Sequence, residues 1–170
     1  QDILRILHEA APHLEVQFDG MGTRITQHWM NNQQYIRDPS GLEKMWRWAR
    51  KVRSKSDRKK ALEADVIVTT SGMLDGGPAI WYLNRLREDP RNAILLTGYQ
   101  ARGSGGRMLL DKGKIPIWDK ETTINLEVDQ FSFSTHAGHS EIVDFASKCE
   151  AETVVVYHTD PTHARPPLVE

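Results

Sequence analysis

The chain has a single cysteine, Cys149, in 170 residues, so no disulfide can form within it and packing alone must hold the fold. It has no apolar run approaching the roughly 20 residues that a membrane span needs, and no secretory pattern opens it. It also lacks an excess of charge of either sign. Lys and Arg number 22 against 23 Asp and Glu, a net −1, which argues against a wholly basic or wholly acidic binding protein. Internal repeats and low-complexity tracts are missing too, which excludes solenoids and disordered linkers. What is present is ordinary globular material, 39% hydrophobic and 26% charged, in a length that suits one domain or one plus a fragment of another. A chain of this size buries about 68 to 70% of its unfolded surface and needs no cross-links. These features predict a soluble, cytoplasmic protein. The missing initiator Met, the helical pattern that begins at Gln1 and the end at Glu170 just past Pro166-Pro167 predict a piece of a longer protein.

The balanced total hides a local imbalance. Residues 44–60 carry nine Lys or Arg and one acid, Asp57, which leaves −9 on the remainder. Trp46 and Trp48 lie within this stretch. It reads either as an attractor for a nucleic-acid backbone or as a solvated helix face with its tryptophans packed inward.

Helical and strand patterns alternate along the chain. Ile3, Leu4, Ile6, Leu7 and Ala10 share one helical face that Pro12 ends. Leu14, Val16 and Phe18 alternate with polar residues as in a half-buried strand, and a helix over residues 23–31 follows. Asp38 or Ser40 caps a basic helix. The run Val66, Ile67, Val68 suits a strand buried on both faces. A loop then leads to Pro78 in the first turn of a helix containing Ile80, Trp81, Leu83 and Leu86. Residues 93–96 form another strand, 98–106 a glycine-rich loop and 107–110 a short helix. Such alternation predicts a mainly parallel sheet with helices on both faces. Beyond it, Ile115 and Ile117, then Ile124, Leu126 and Val128, flank a polar turn at 119–123 and predict an antiparallel hairpin. A helix over 140–148 and a strand over 153–157 that delivers His158 complete the pattern, with Cys149 expected to be buried.

Parallel sheets bind ligands at the carboxyl ends of their strands. Residues 69–77 offer hydroxyls and free N–H groups ahead of a helix, which favours an anion or else serves as a plain connection. The loop 98–107 adds Arg102 and Arg107 to its glycines and can cradle phosphates. It is neither a Walker loop, since it ends Gly106-Arg107-Met108, nor a dinucleotide motif, since Met108 stands where the last glycine belongs. His136, His139, His158 and His163 cluster in the last 35 positions. Each can ligate zinc or move a proton, though capping and surface roles are commoner for such residues.

Taken in order, four strings resemble one family. They are Val66-Ile67-Val68-Thr69-Thr70-Ser71-Gly72-Met73-Leu74, then Leu95-Leu96-Thr97-Gly98-Tyr99-Gln100 with Gly103 and Gly106-Arg107, then Phe133-Ser134-Thr135-His136-Ala137-Gly138-His139, then Val154-Val155-Val156-Tyr157-His158. They are similar to the β-CASP branch of the metallo-β-lactamase superfamily, which includes the nuclease subunit of the cleavage and polyadenylation specificity factor, its archaeal relatives and RNase J. The archaeal forms look closest.

The resemblance implies a fold class of α/β type. Residues 1–133 would be a three-layer α/β/α, Rossmann-like β-CASP domain with a mainly parallel sheet, and residues 134–170 a C-terminal piece of the metallo-β-lactamase fold. It implies that His136 donates a proton to the leaving oxygen and that His158 ligates one of two zinc ions. The other ligands of that family belong to an upstream domain, so the isolated chain is expected to hold no metal and to be inactive. Ser71, Gly72, Arg102, Gly105 and Arg107 would position RNA phosphates. The implied parent is a zinc-dependent ribonuclease acting on single-stranded RNA, in which paired zinc ions activate water. A homodimer of the full-length protein is compatible with this. The alternative is a catalytically inactive β-CASP subunit that binds RNA or supports assembly, and a weaker rival, a free-standing nucleotide-binding module, fails on the two glycine-motif counts.

Overall fold

Short-range patterns set the elements, and the computed structural model describes them for residues 2–131, 133 and 137–155. Two compact units divide the chain, residues 1–132 and 133–170. In the first, α1 (Asp2–Ala10) and β1 (Val16–Asp19) lead to α2 (Met21–Met30), α3 (Pro39–Trp48) and the two-residue strand β2 (Arg50–Lys51). Then come α4 (Lys55–Lys60), β3 (Val66–Thr69), α5 (Gly77–Leu86), β4 (Ala93–Leu96) and α6 (Gly105–Lys112). The hairpin β5 (Lys114–Ile117) and β6 (Lys120–Thr123) and the strand β7 (Glu127–Gln130) complete it. Helix starts follow the local chemistry. The Asp38 carboxylate accepts the Gly41 N–H at the head of α3 and Ser54 accepts the Asp57 N–H at the head of α4, each satisfying a donor that the helix itself leaves open.

Three sheets form. β2, β1 and β3 run parallel in that order, with Val16 opposite Val66 and Phe18 opposite both Val68 and Lys51. β4 and β7 are also parallel, with Ile94 opposite Val128, whereas β5 and β6 are antiparallel. The mixed helix and parallel-strand architecture is that of an α/β domain. One core gathers Leu74, Leu83, Leu96, Leu109, Ile115 and Leu126. A second joins Leu4, Val16, Phe18, Leu42 and Met45. A third, smaller cluster is Val52, Ala61 and Tyr82.

Position in the sheet reverses two expectations. All four residues of β1 are buried despite their polar alternation, because β1 is central; β3, expected to be covered on both faces, is only half-buried because it is an edge. The hairpin also differs. Its turn is Trp118-Asp119 and its second strand is the polar β6, which an apolar pattern cannot reveal, while Ile124, Leu126 and Val128 run on into β7 beside β4.

In the second unit α7 spans His139–Lys148, with no buried residue. Cys149 is exposed at its end rather than buried. Residues 153–155 are exposed and form no strand; a strand exists only through its partner, and none is described in that unit. Residues 156 and 157, the rest of that expected strand, lie outside the described residues. Among the described residues no helix is long and apolar enough to cross a membrane.

Candidate nucleic-acid interface

The connections leaving β1, β3 and β4 meet at the carboxyl ends of these strands and are tied to one another. The Met21 N–H donates to Thr70 Oγ1 at 3.0 Å. Gln100 Nε2 donates to the carbonyls of Gly72 (3.0 Å) and Gly98 (3.2 Å). The Gly105 N–H donates to Asp75 Oδ1 at 2.8 Å, and the Gly106 N–H to the Met73 carbonyl at 2.7 Å. Two glycines permit this closeness. A Cβ on Gly105 would stand 2.4 Å from the Leu74 carbonyl oxygen, and one on Gly106 would stand 1.8 Å from Gln100 Oε1, both far inside van der Waals contact.

This lacing alters what the glycine-rich loop can do. The N–H groups of Gly105 and Gly106 are engaged as above, and that of Arg107 donates to the Ser104 hydroxyl. The head of α6 is therefore capped by protein, and its backbone donors do not form the expected phosphate cradle. Side chains remain. Arg102 is exposed and has no hydrogen-bonding partner among the described residues, and the exposed Ser71, at φ 72°, shapes the turn in which its carbonyl accepts the Leu74 N–H. The Gly72 carbonyl is taken by Gln100, although the space beside its Cα is open. Arg107 pairs with Asp111 one turn along α6; their hydrogen bond raises the guanidinium pKa and lowers that of the carboxyl. His136 and His158 lie outside the described residues. His139 is the exposed first residue of α7, preceded by Gly138, whose N–H donates to the Glu141 carboxylate.

One buried polar centre escaped sequence reasoning. Asp19, only 2% exposed, closes β1. Its carboxylate accepts from Arg58 Nε (2.6 Å) and Nη2 (3.0 Å), from the Tyr82 hydroxyl (2.8 Å) and from the Gly20 N–H (2.6 Å). The bidentate guanidinium and two further donors meet the condition under which a buried carboxylate is tolerated. Hydrogen bonding to Asp19 raises the Arg58 pKa, while burial first and Asp19 second push the Tyr82 phenol upward. The only local signal was an acid at the end of a parallel strand; its partners are 39 and 63 positions away.

Arg58 reaches from this centre into an open cleft of about 540 Å³ whose lining also includes Asp75, Trp81, Met108, Trp118 and Asp119. Trp81 has the Arg85 guanidinium 3.6 Å from its ring centroid and that of Arg58 at 5.9 Å. Cations against an indole face are favourable. By contrast, the tryptophans of the basic stretch turn inward: Trp46 and Trp48 pack against the second core, and Trp48 Nε1 donates to the Pro12 carbonyl.

Residues 1–109 match the Beta-Casp domain family, and residues 121–166 match the Zn-dependent metallo-hydrolase RNA specificity domain. The chain is 38% identical over 169 residues to the Probable RNase MJ4 of Methanocaldococcus jannaschii, which covers 96% of this chain and 40% of that protein. It is 34% identical over 163 residues to the RNase aCSPSF2 of Saccharolobus solfataricus, covering 95% and 33%. It is 36% identical over 121 residues to the Transcription termination factor FttA of M. jannaschii, covering 64% and 19%. The chain thus spans 40% or less of the length of these relatives. The two domains matched in tandem, on a parallel α/β frame whose strand-end loops carry the serine-glycine-methionine and glycine-arginine strings, place this chain in the β-CASP family.

Proposed function

We propose that the chain is the β-CASP segment and adjoining RNA-specificity segment of a zinc-dependent ribonuclease that hydrolyses single-stranded RNA in the cytoplasm. The observation that carries this reading is the order of the two domain matches across residues 1–166, in a chain whose relatives include proteins named as ribonucleases. In this reading Arg102 and the Ser71 hydroxyl meet RNA phosphates directly. Arg107 joins them by exchanging Asp111 for phosphate, which is feasible because both partners are solvent-exposed. Gly72 leaves room for the strand to approach, and Gly105 serves by allowing the two loops to close. His136 is the proton donor to the leaving oxygen and His158 a zinc ligand. The full-length protein pairs as a homodimer.

The described residues do not supply a metal site on their own: no three His, Cys, Asp or Glu side chains converge among them. Zinc, when bound in such enzymes, activates water and stabilises developing charge.

Cleavage of single-stranded RNA tests the proposal, using the protein extended to the upstream sequence of its gene, with and without zinc and beside a His158→Ala variant. Cleavage that requires zinc and disappears in the variant is the expected result. RNA that is bound but never cut would instead identify the inactive β-CASP subunit.

A further inference from the structure

Trp118 stands where neither burial nor turn geometry favours a tryptophan. It is the first of two residues joining β5 to β6, between the paired Ile117 and Lys120. It adopts φ 50°, and the next residue, Asp119, φ 64°. Two left-handed residues in succession make the turn that Asn-Gly favours, because a bulky side chain is strained there. Burial does not explain the choice, since Trp118 is 65% exposed. Hydrogen bonding does not either, since its indole N–H has no acceptor among the described residues. A residue that neither its turn nor its packing favours points to a function at that spot.

We infer that the cleft between α5 and the β5–β6 hairpin is a nucleobase subsite, in which the Trp118 indole stacks on an unpaired base carrying an exocyclic amino group. The hairpin brings this ring to a cleft that Trp81 and Arg58 also line, with the Arg58 and Arg85 guanidinium groups 5.9 and 3.6 Å from the Trp81 centroid. Aromatic planes interleaved with guanidinium groups are the common platform for single-stranded nucleic acid. The carboxylates of Asp75 and Asp119 in the same lining exclude a phosphate and instead accept from an amino group on a base edge. Only one oxygen of Asp75 is engaged, by the Gly105 N–H. The subsite rests on the RNA reading proposed above and adds to it a contact that reads bases rather than backbone.

The test is equilibrium binding of fluorescein-labelled C12 and U12 RNA to the 170-residue chain, at several salt concentrations, with Trp118→Asn, Trp118→Phe and Asp119→Asn. Asn suits the left-handed region, so the first variant keeps the turn. Trp118→Asn should weaken C12 binding about tenfold with the salt slope unchanged, because lost stacking releases no counterions, and Trp118→Phe should restore most of the affinity. C12 should bind more tightly than U12, and Asp119→Asn should shrink that difference. Wild-type affinity in Trp118→Asn, with RNA still bound, would overturn the subsite and leave the ribonuclease proposal standing. Equal binding of C12 and U12 would overturn the role of the carboxylates. No binding of either RNA by the wild-type chain would overturn both the subsite and RNA recognition by this segment.

Discussion

Two regions of the first unit place tryptophan beside positive charge, and they use the pairing in opposite ways. On α3 and β2 the basic run encloses Trp46 and Trp48, but these rings pack on the core, Lys51 Nζ lies 4.7 Å from the Trp46 centroid, and the rings of His8 and Trp48 meet edge to face with centroids 5.1 Å apart. Partial burial, and the neighbouring Arg53 second, lower the Lys51 pKa. Lys51 there serves the fold, its Nζ also donating to the Trp46 carbonyl. Around the cleft, Trp81 and Trp118 come from segments far apart in sequence, and Trp118 stays exposed at a strained turn. The lesson is that adjacency of basic and aromatic residues in a sequence does not decide whether the rings are packed or exposed; tertiary contacts do.

The comparison breaks first at Asp19, which ties the basic run to the cleft through Arg58. Asp19→Ala should cost about 3 kcal/mol in urea unfolding, because it strands a partly buried guanidinium and the Tyr82 hydroxyl. A loss below about 1 kcal/mol would show that the centre is not what anchors Arg58.

Tyr82→Phe is milder and sharpens the same point. Removing one hydrogen bond to a buried carboxylate should cost about 1.5 kcal/mol near neutral pH. The folded phenol titrates above its ordinary value of 10.0. The folded state therefore keeps its proton while the unfolded chain loses it, and stability from this group is complete below pH 10.0 and falls as pH rises beyond. Unfolding followed from pH 8 to 11 should show a shallower alkaline decline in Tyr82→Phe than in wild type; parallel declines would refute the assignment.

The smallest effect is expected at the other region. Asp119→Gly relieves one left-handed residue of the hairpin turn at some cost in chain entropy. It should raise the unfolding free energy by about 0.5 kcal/mol. A destabilised variant would mean that the turn is not strained and that Trp118 is accounted for by the fold.

Much of this is legible in the sequence. The helix α1, the cap at Asp38, Pro78 in the first turn of α5 and the strand over residues 93–96 all appear where local chemistry predicts, although of the expected apolar face of α1 only Leu4 is buried and Ile6 and Ala10 are exposed. At the candidate site the sequence pointed to residues 69–77 and 98–107, two loops that the structure ties together, because they follow apolar strands and carry glycine, serine and arginine. It misjudged their donors, since nothing in residues 98–107 reveals that Asp75 and the Met73 carbonyl occupy the N–H groups of Gly105 and Gly106.

By itself, then, the sequence determined helix positions, caps, the parallel strands β1, β3 and β4 and family membership, all of which depend on neighbours within a few residues or on the order of short strings. Only the tertiary structure decided that β1 is central and β3 an edge, that Asp19 is buried under Arg58 and Tyr82, and that Trp118 faces a cleft with Trp81. The physical reason is range. Helix and turn propensities act through the adjacent backbone, whereas burial and the pairing of a charge are set by whichever distant segment the fold brings alongside.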